Sequence, residues 1–283
     1  MKRKQGRVTE RSPPVREEKE GKEENSFHRK RLCFLTCLLM GDPLGSRDSK
    51  PPENVRIYLT AGTQHVLRQN NPKGICPLPT SPVDYRPVLR ALVLTLDRWV
   101  KDGTLPPRSN YPRLEDGTLV VASAVGFPKI PGVQFPSGPN PKRRVDYGLE
   151  YEKGIINKVL PGYLSKIYPV LVPRVNSDGN EIAGIRLPDV AVPTGTATGW
   201  AVRAPDVGGA GELCTQDGSF IPFAKKRTER EEKGDPRLSM EERYRDKADF
   251  VARVRDAALA LERDGYLLAE DVKHIAEKAA LSW

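Results

Sequence analysis

The chain has only three histidines, three methionines and four cysteines among its 283 residues. No apolar run approaches the roughly 18 residues needed to cross a bilayer, so the sequence offers no membrane-spanning helix. The scarcity of cysteine and histidine also bears on metals. Structural zinc favours paired C-x₂₋₄-C units answered by a second pair of Cys or His downstream. Cys33 and Cys37 have suitable spacing, but nothing answers them. Neither a metal nor a cofactor is therefore expected. A disulfide between Cys76 and Cys214 is open to the chain in an oxidising compartment. The run Gly208-Gly209-Ala210-Gly211 lacks the Lys-Ser/Thr of a phosphate loop and follows no clear strand, which argues against a nucleotide site.

Apolar residues make up 38% of the chain, alongside 26 prolines and 24 glycines. That balance describes a loop-rich protein with at least one unstructured stretch, although the length is ample for a buried core. The formal charge of +9 is concentrated at one end: residues 1–50 carry a balance of +5, leaving +4 for the rest. A nucleic-acid module would be expected to pair a basic stripe with aromatic stacking positions. The nearest cluster, Lys142-Arg143-Arg144, lies in a Pro/Gly-rich stretch with few aromatics close by in sequence and is read as a solvated loop. No nucleic-acid partner is expected.

Residues 1–31 are charged and of low complexity, and the first 50 residues are expected to form a disordered basic extension to a domain over 51–283. The apolar run Leu32–Met40 follows Arg29-Lys30-Arg31, superficially like a signal peptide. Its leading segment is too long and no small-x-small cleavage site follows, so a signal peptide is not expected. Alternation of Val55, Ile57, Leu59 and Ala61 with polar neighbours predicts a strand ending at Gly62, with His65 just beyond it. A proline-rich loop leads to a predicted helix over 84–102, with Val88, Leu92, Leu96, Trp99 and Val100 on one face and Gly103 as its stop. From 108 to about 235 the chain reads as β and irregular, with short strands at 118–122, 170–175 and 182–187. A hairpin turn is expected at Asn176-Ser177-Asp178-Gly179. Thr194–Trp200 is read as a tight turn with its tryptophan packed on the core, rather than as a substrate entrance formed with Arg203. A helix opening on the capping box Ser239/Glu242, with Tyr244, Ala248, Val251, Ala258 and Leu261 as its stripe, and a second helix over 269–281 complete the chain.

His28 lies in the tail and His274 within the last helix, which leaves His65 as the candidate for chemistry. The stretch Asn54–His65 (NVRIYLTAGTQH) resembles the last strand and histidine loop of the alpha/beta hydrolase domain-containing family. The likeness begins near Gly41-Asp42-Pro43 and passes through Arg86-Pro87 and Trp99. It continues in Pro188–Pro193 and Thr198-Gly199-Trp200, then in Gly218–Ala224, Gly234–Arg237 and Glu242-Arg243-Tyr244. The resemblance implies an α/β fold of the serine-hydrolase type and a small ester-like substrate. His65 would be the general base that takes the proton of a serine hydroxyl.

The departure from the family pattern is equally specific. No G-x-S-x-G occurs; Gly195-Thr196-Ala197-Thr198-Gly199 has alanine at the nucleophile position. In fold order the nucleophile and the orienting acid precede the histidine strand, and the fifty residues available there cannot supply them. The expected architecture is therefore a partial α/β-hydrolase comprising the last strand, histidine loop and last helix, followed by a β-rich irregular region and a C-terminal helical hairpin. Little activity is expected from such a chain alone. The alternatives are a non-catalytic binding or scaffold protein, or a fragment of a longer active hydrolase whose N-terminal gene model is wrong.

Overall fold

The computed structural model describes residues 40–67, 75–136, 142–214, 216–281 and 283. The charged tail and most of the Leu32–Met40 run lie outside the described residues. Met40 itself is buried against Leu119 and Leu171. Gly41 and Asp48 form a bridge, and the Asp48 carboxylate accepts hydrogen bonds from the backbone N–H groups of Leu114 and Glu115, so residues 40–50 are tied to the body of the fold.

Among the described residues the architecture is mixed: helices packed with three two-stranded antiparallel sheets. Helix α1 spans Arg86–Asp102 and stops at Gly103, whose φ of 73° suits glycine. Strand β1 (Leu119–Val121) pairs with β4 (Leu171–Pro173), and β2 (Arg143–Asp146) with β3 (Gly162–Ile167). After a single turn, α2 (Pro188–Ala191), comes β5 (Gly195–Thr198), paired with β6 (Ser219–Pro222). Helices α3 (Arg227–Lys233), α4 (Met240–Arg243), α5 (Lys247–Arg263) and α6 (Ala269–Leu281) follow.

The expected strand over 55–61 is extended, but it joins no ladder. It lies between two other extended segments in parallel: Tyr58 bridges Asn110 on one side and Thr60 bridges Ile185 on the other. Four backbone bonds hold the arrangement, among them Leu59 N–H to Asn110 C=O at 3.0 Å and Ile185 N–H to Leu59 C=O at 2.7 Å. Gly184 makes this approach feasible. Its φ is +85°, and a Cβ there would lie 2.5 Å from the carbonyl oxygen of Leu59. The segment 182–187 expected as a strand is held by these bonds and by the bridge from Glu181 to Val175 across the turn at 176–180.

One apolar core joins these parts. Ala61, Val83, Val88, Ile185, Leu187, Val190 and Ala197 are buried together with Ala258, Leu267 and Val272 of the helical hairpin. In that hairpin the capping box is present, yet the helix expected from Ser239 onward is two helices. Tyr244 is extended, because its buried ring packs on Phe250 while its hydroxyl donates to the Pro193 carbonyl at 2.8 Å. Asp246 then caps a new helix by accepting from the Asp249 N–H, and the buried stripe becomes Phe250, Val254 and Ala258, with Ala248 exposed.

Two further expectations are corrected. Thr194–Trp200 is no tight turn; its centre is β5, buried at all four positions. Lys142-Arg143-Arg144 is not a loop, since Arg143 and Arg144 begin β2. Their guanidinium groups lie over the rings of Tyr163 and Tyr168, partners that are distant in sequence. The apolar face of α1 also divides. Val88 and Ala91 are buried and Leu92 and Trp99 partly so, whereas Leu96 and Val100 face solvent with Leu89 and Val93. Among the described residues no helix is long and apolar enough to cross a membrane.

Candidate functional site

The loop after the 55–61 segment is fixed by side chains along most of its length. The Thr63 hydroxyl donates back to the Thr60 carbonyl at 2.6 Å. Gln64, 3% exposed, donates through Nε2 to the Ser81 carbonyl and accepts the Gly218 N–H through Oε1 at 3.1 Å. Ser81 in turn donates its hydroxyl to the Gly62 carbonyl at 3.2 Å. The Tyr85 hydroxyl, immediately before α1, donates to the carbonyl of His65 at 3.1 Å. The backbone of His65 is thus positioned while its imidazole is left exposed.

His65 lines a cavity of about 380 Å³. One wall is aromatic: Phe127, Phe135 and Trp200 meet with ring centroids 5.3–5.4 Å apart. Val125, Val172, Val175, Leu59 and Leu213 add apolar surface, and Tyr85, Thr63 and Thr198 add hydroxyls. The Thr198 hydroxyl donates to the Trp200 carbonyl at 2.5 Å and accepts the Ser219 N–H at 3.1 Å. Among the described residues that line the cavity there is neither a serine nor a cysteine.

Glu181 also lines this cavity. Its Oε2 accepts the Gly62 N–H at 3.0 Å, and the Gly62 carbonyl accepts from Ser81. Among the described residues that line the cavity there is neither a Lys nor an Arg. Desolvation therefore dominates and pushes the Glu181 carboxyl up to about 7, opposed only by the Gly62 hydrogen bond.

A disulfide closes one flank. Cys76 and Cys214, both buried with Ala201, are joined across 138 residues. Cys214 follows Leu213 of the cavity lining, and the Cys214 N–H donates to the Ala201 carbonyl beside Trp200 at 2.7 Å. Among the described residues no cluster of His, Cys, Asp and Glu is arranged to hold a metal ion.

A family model described as an alpha/beta hydrolase domain matches residues 38–277. The chain belongs to that family. No curated protein and no solved structure matches it. The match covers the histidine loop, the cavity and most of the helical hairpin of this alpha/beta hydrolase domain.

Sequence reasoning singled out His65, and the structure sets it at the cavity. Trp200 was expected to pack on the core; it packs on Phe127 and Phe135 and lines the cavity as well. Arg203 does not join it, because its guanidinium is tied to the Val207 and Gly208 carbonyls. Gln64, Tyr85, Phe127, Phe135 and Glu181 were not identified. The one available signal was local for Gln64 and Tyr85, which flank the histidine and its helix. Phe127, Phe135 and Glu181 arrive from distant segments.

Proposed function

We propose that this chain forms the histidine side and ligand pocket of a serine-esterase-like α/β-hydrolase site, with little turnover of its own. The carrying observation is that the exposed imidazole of His65 shares a cavity with the aromatic wall of Phe127, Phe135 and Trp200. The wall suits the apolar part of a small ester. In an assembled site the imidazole would take the proton of a serine hydroxyl as that oxygen attacks the ester carbonyl. It would then return the proton to the departing alkoxide.

The nucleophile would come from outside the elements described above. Support for a missing layer comes from α1, where Leu89, Val93, Leu96 and Val100 are spaced four, three and four residues apart and are 50–77% exposed. A continuous apolar stripe of this kind ordinarily packs against another element. The last helix of an α/β-hydrolase would carry such a stripe toward its sheet.

Hydrolysis of a p-nitrophenyl ester by the full chain and by His65→Ala tests the catalytic part. Turnover near the uncatalysed rate is expected for both; robust turnover abolished by His65→Ala would overturn the claim that the nucleophile is missing. Binding of an uncleavable ether analogue, followed by tryptophan fluorescence, tests the pocket. It should weaken in Phe135→Ala.

A second reading is a non-catalytic binding protein built on a hydrolase scaffold, and the lack of serine and cysteine among the described lining residues favours it. It predicts a stable monomer whose melting transition is barely moved by His65→Ala.

A further inference from the structure

We infer that the cavity beside His65 takes an organic cation, with the Glu181 carboxylate as its counter-charge and the ring faces of Phe127, Phe135 and Trp200 as its apolar wall. This rests on the cavity being the ligand pocket proposed above, and it names the class of ligand.

Among the described side chains that line the cavity, His65, Tyr85 and Glu181 carry the ionisable groups, and none is a Lys or an Arg. Four other carboxylates that are largely withdrawn from solvent are each paired with an arginine: Asp178 with Arg243, Asp235 with Arg237, Glu242 with Arg230, and Asp271 with Arg90. Among the described residues Glu181 accepts one backbone N–H, on one oxygen. A carboxylate in an apolar wall without a counter-charge is costly. It is relieved either by holding a proton or by a cation entering the cavity, and the cavity has space for one.

The rest of the wall has the matching character. Ring faces carry the negative end of the aromatic quadrupole and attract alkylammonium groups, most strongly when water is excluded. The three rings lie against one another at interplanar angles of 40°, 58° and 82°, so they form a continuous surface with differently inclined faces. Such a wall accepts the methyl or methylene groups of an ammonium ion, and its charge would face Glu181. A neutral acyl chain would use the wall but leave the carboxylate unmatched. A ligand carboxylate would be repelled by it.

The test compares choline with 3,3-dimethylbutan-1-ol, which has the same shape without the charge. Both are titrated calorimetrically into the full chain at pH 8, where Glu181 is ionised. Choline should bind at least about tenfold more tightly than the neutral alcohol, as expected of a desolvated cation facing a carboxylate and aromatic rings. In Glu181→Gln, which can keep the Gly62 N–H bond, that preference should collapse while the alcohol still binds. Equal affinities in the unmodified protein, or a preference that survives Glu181→Gln, would overturn the inference. The first comparison needs no variant, so a poorly folded Glu181→Gln does not rescue it. Binding of the alcohol alone sinks the charge inference and leaves the pocket intact. Binding of neither ligand sinks both.

Discussion

The backbone N–H of Gly62 donates a 3.0 Å hydrogen bond to Oε2 of Glu181, joining residues 119 apart in the chain. Through it the segment that presents His65 is tied to the segment beyond the 176–180 turn. A carboxyl group is thereby held in the wall of the same cavity.

The Glu181 carboxyl titrates near 7 in the fold, against 4.5 ordinarily, so the folded chain retains a proton that the unfolded chain releases between those values. Its contribution to stability is complete below about pH 4.5 and is lost as the pH rises to about 7. At about 1.4 kcal/mol per pH unit, the loss is up to roughly 3.5 kcal/mol. His65 and Tyr85 share the cavity, so the comparison must be made against the parent protein. Urea denaturation should find Glu181→Gln more stable than the parent at pH 8, with the difference shrinking toward pH 5. A difference independent of pH would contradict this.

Reducing Cys76–Cys214 releases a loop closed across 138 residues. Loop-closure entropy places the cost at about 5 kcal/mol, and the paired serine variant should lose a similar amount. Thermal melts with and without reductant measure it. Tryptophan emission should change in the same transition, because Ala201 beside Trp200 packs with the disulfide.

Arg237 is a buried cation whose removal should be severe. Its guanidinium donates to the Thr196 hydroxyl at 2.8 Å, to the Ile221 and Pro222 carbonyls and to both Asp235 oxygens, and it lies over the Phe223 ring. Arg237→Ala should cost about 3–5 kcal/mol, much of it from leaving Asp235 and the β5–β6 groups without their partner. Arg237→Lys should recover little, since an ammonium cannot reproduce the planar set of donors. Chemical denaturation distinguishes the two outcomes.

The exposed stripe of α1 makes a prediction about association. Leu96→Gln with Val100→Gln should leave the melting temperature nearly unchanged, because surface substitutions cost within about 0.5 kcal/mol. The pair should also reduce self-association measured by light scattering. A large loss of stability would mean that these side chains are packed in the chain itself.

Local signals marked much of this protein from sequence alone. Gly103 ended α1, the Ser239/Glu242 box opened α4, and Asn176–Gly179 made its turn, because caps and turns depend on residues within a few positions of one another. Successive family-like motifs identified the alpha/beta hydrolase domain, and strand-then-histidine order singled out His65. Tertiary structure decided the rest. Periodicity put Leu96 and Val100 on an apolar face of α1, but burial depends on what packs there, and the core received Val88 and Ala91 instead. Four residues read as a turn became the buried strand β5 because β6, some twenty residues later, supplied its hydrogen bonds. The cavity is of the same kind. Its wall gathers Glu181, Phe127, Phe135 and Trp200 around the His65 loop, and no spacing in the sequence encodes a meeting made by the folding of segments that far apart.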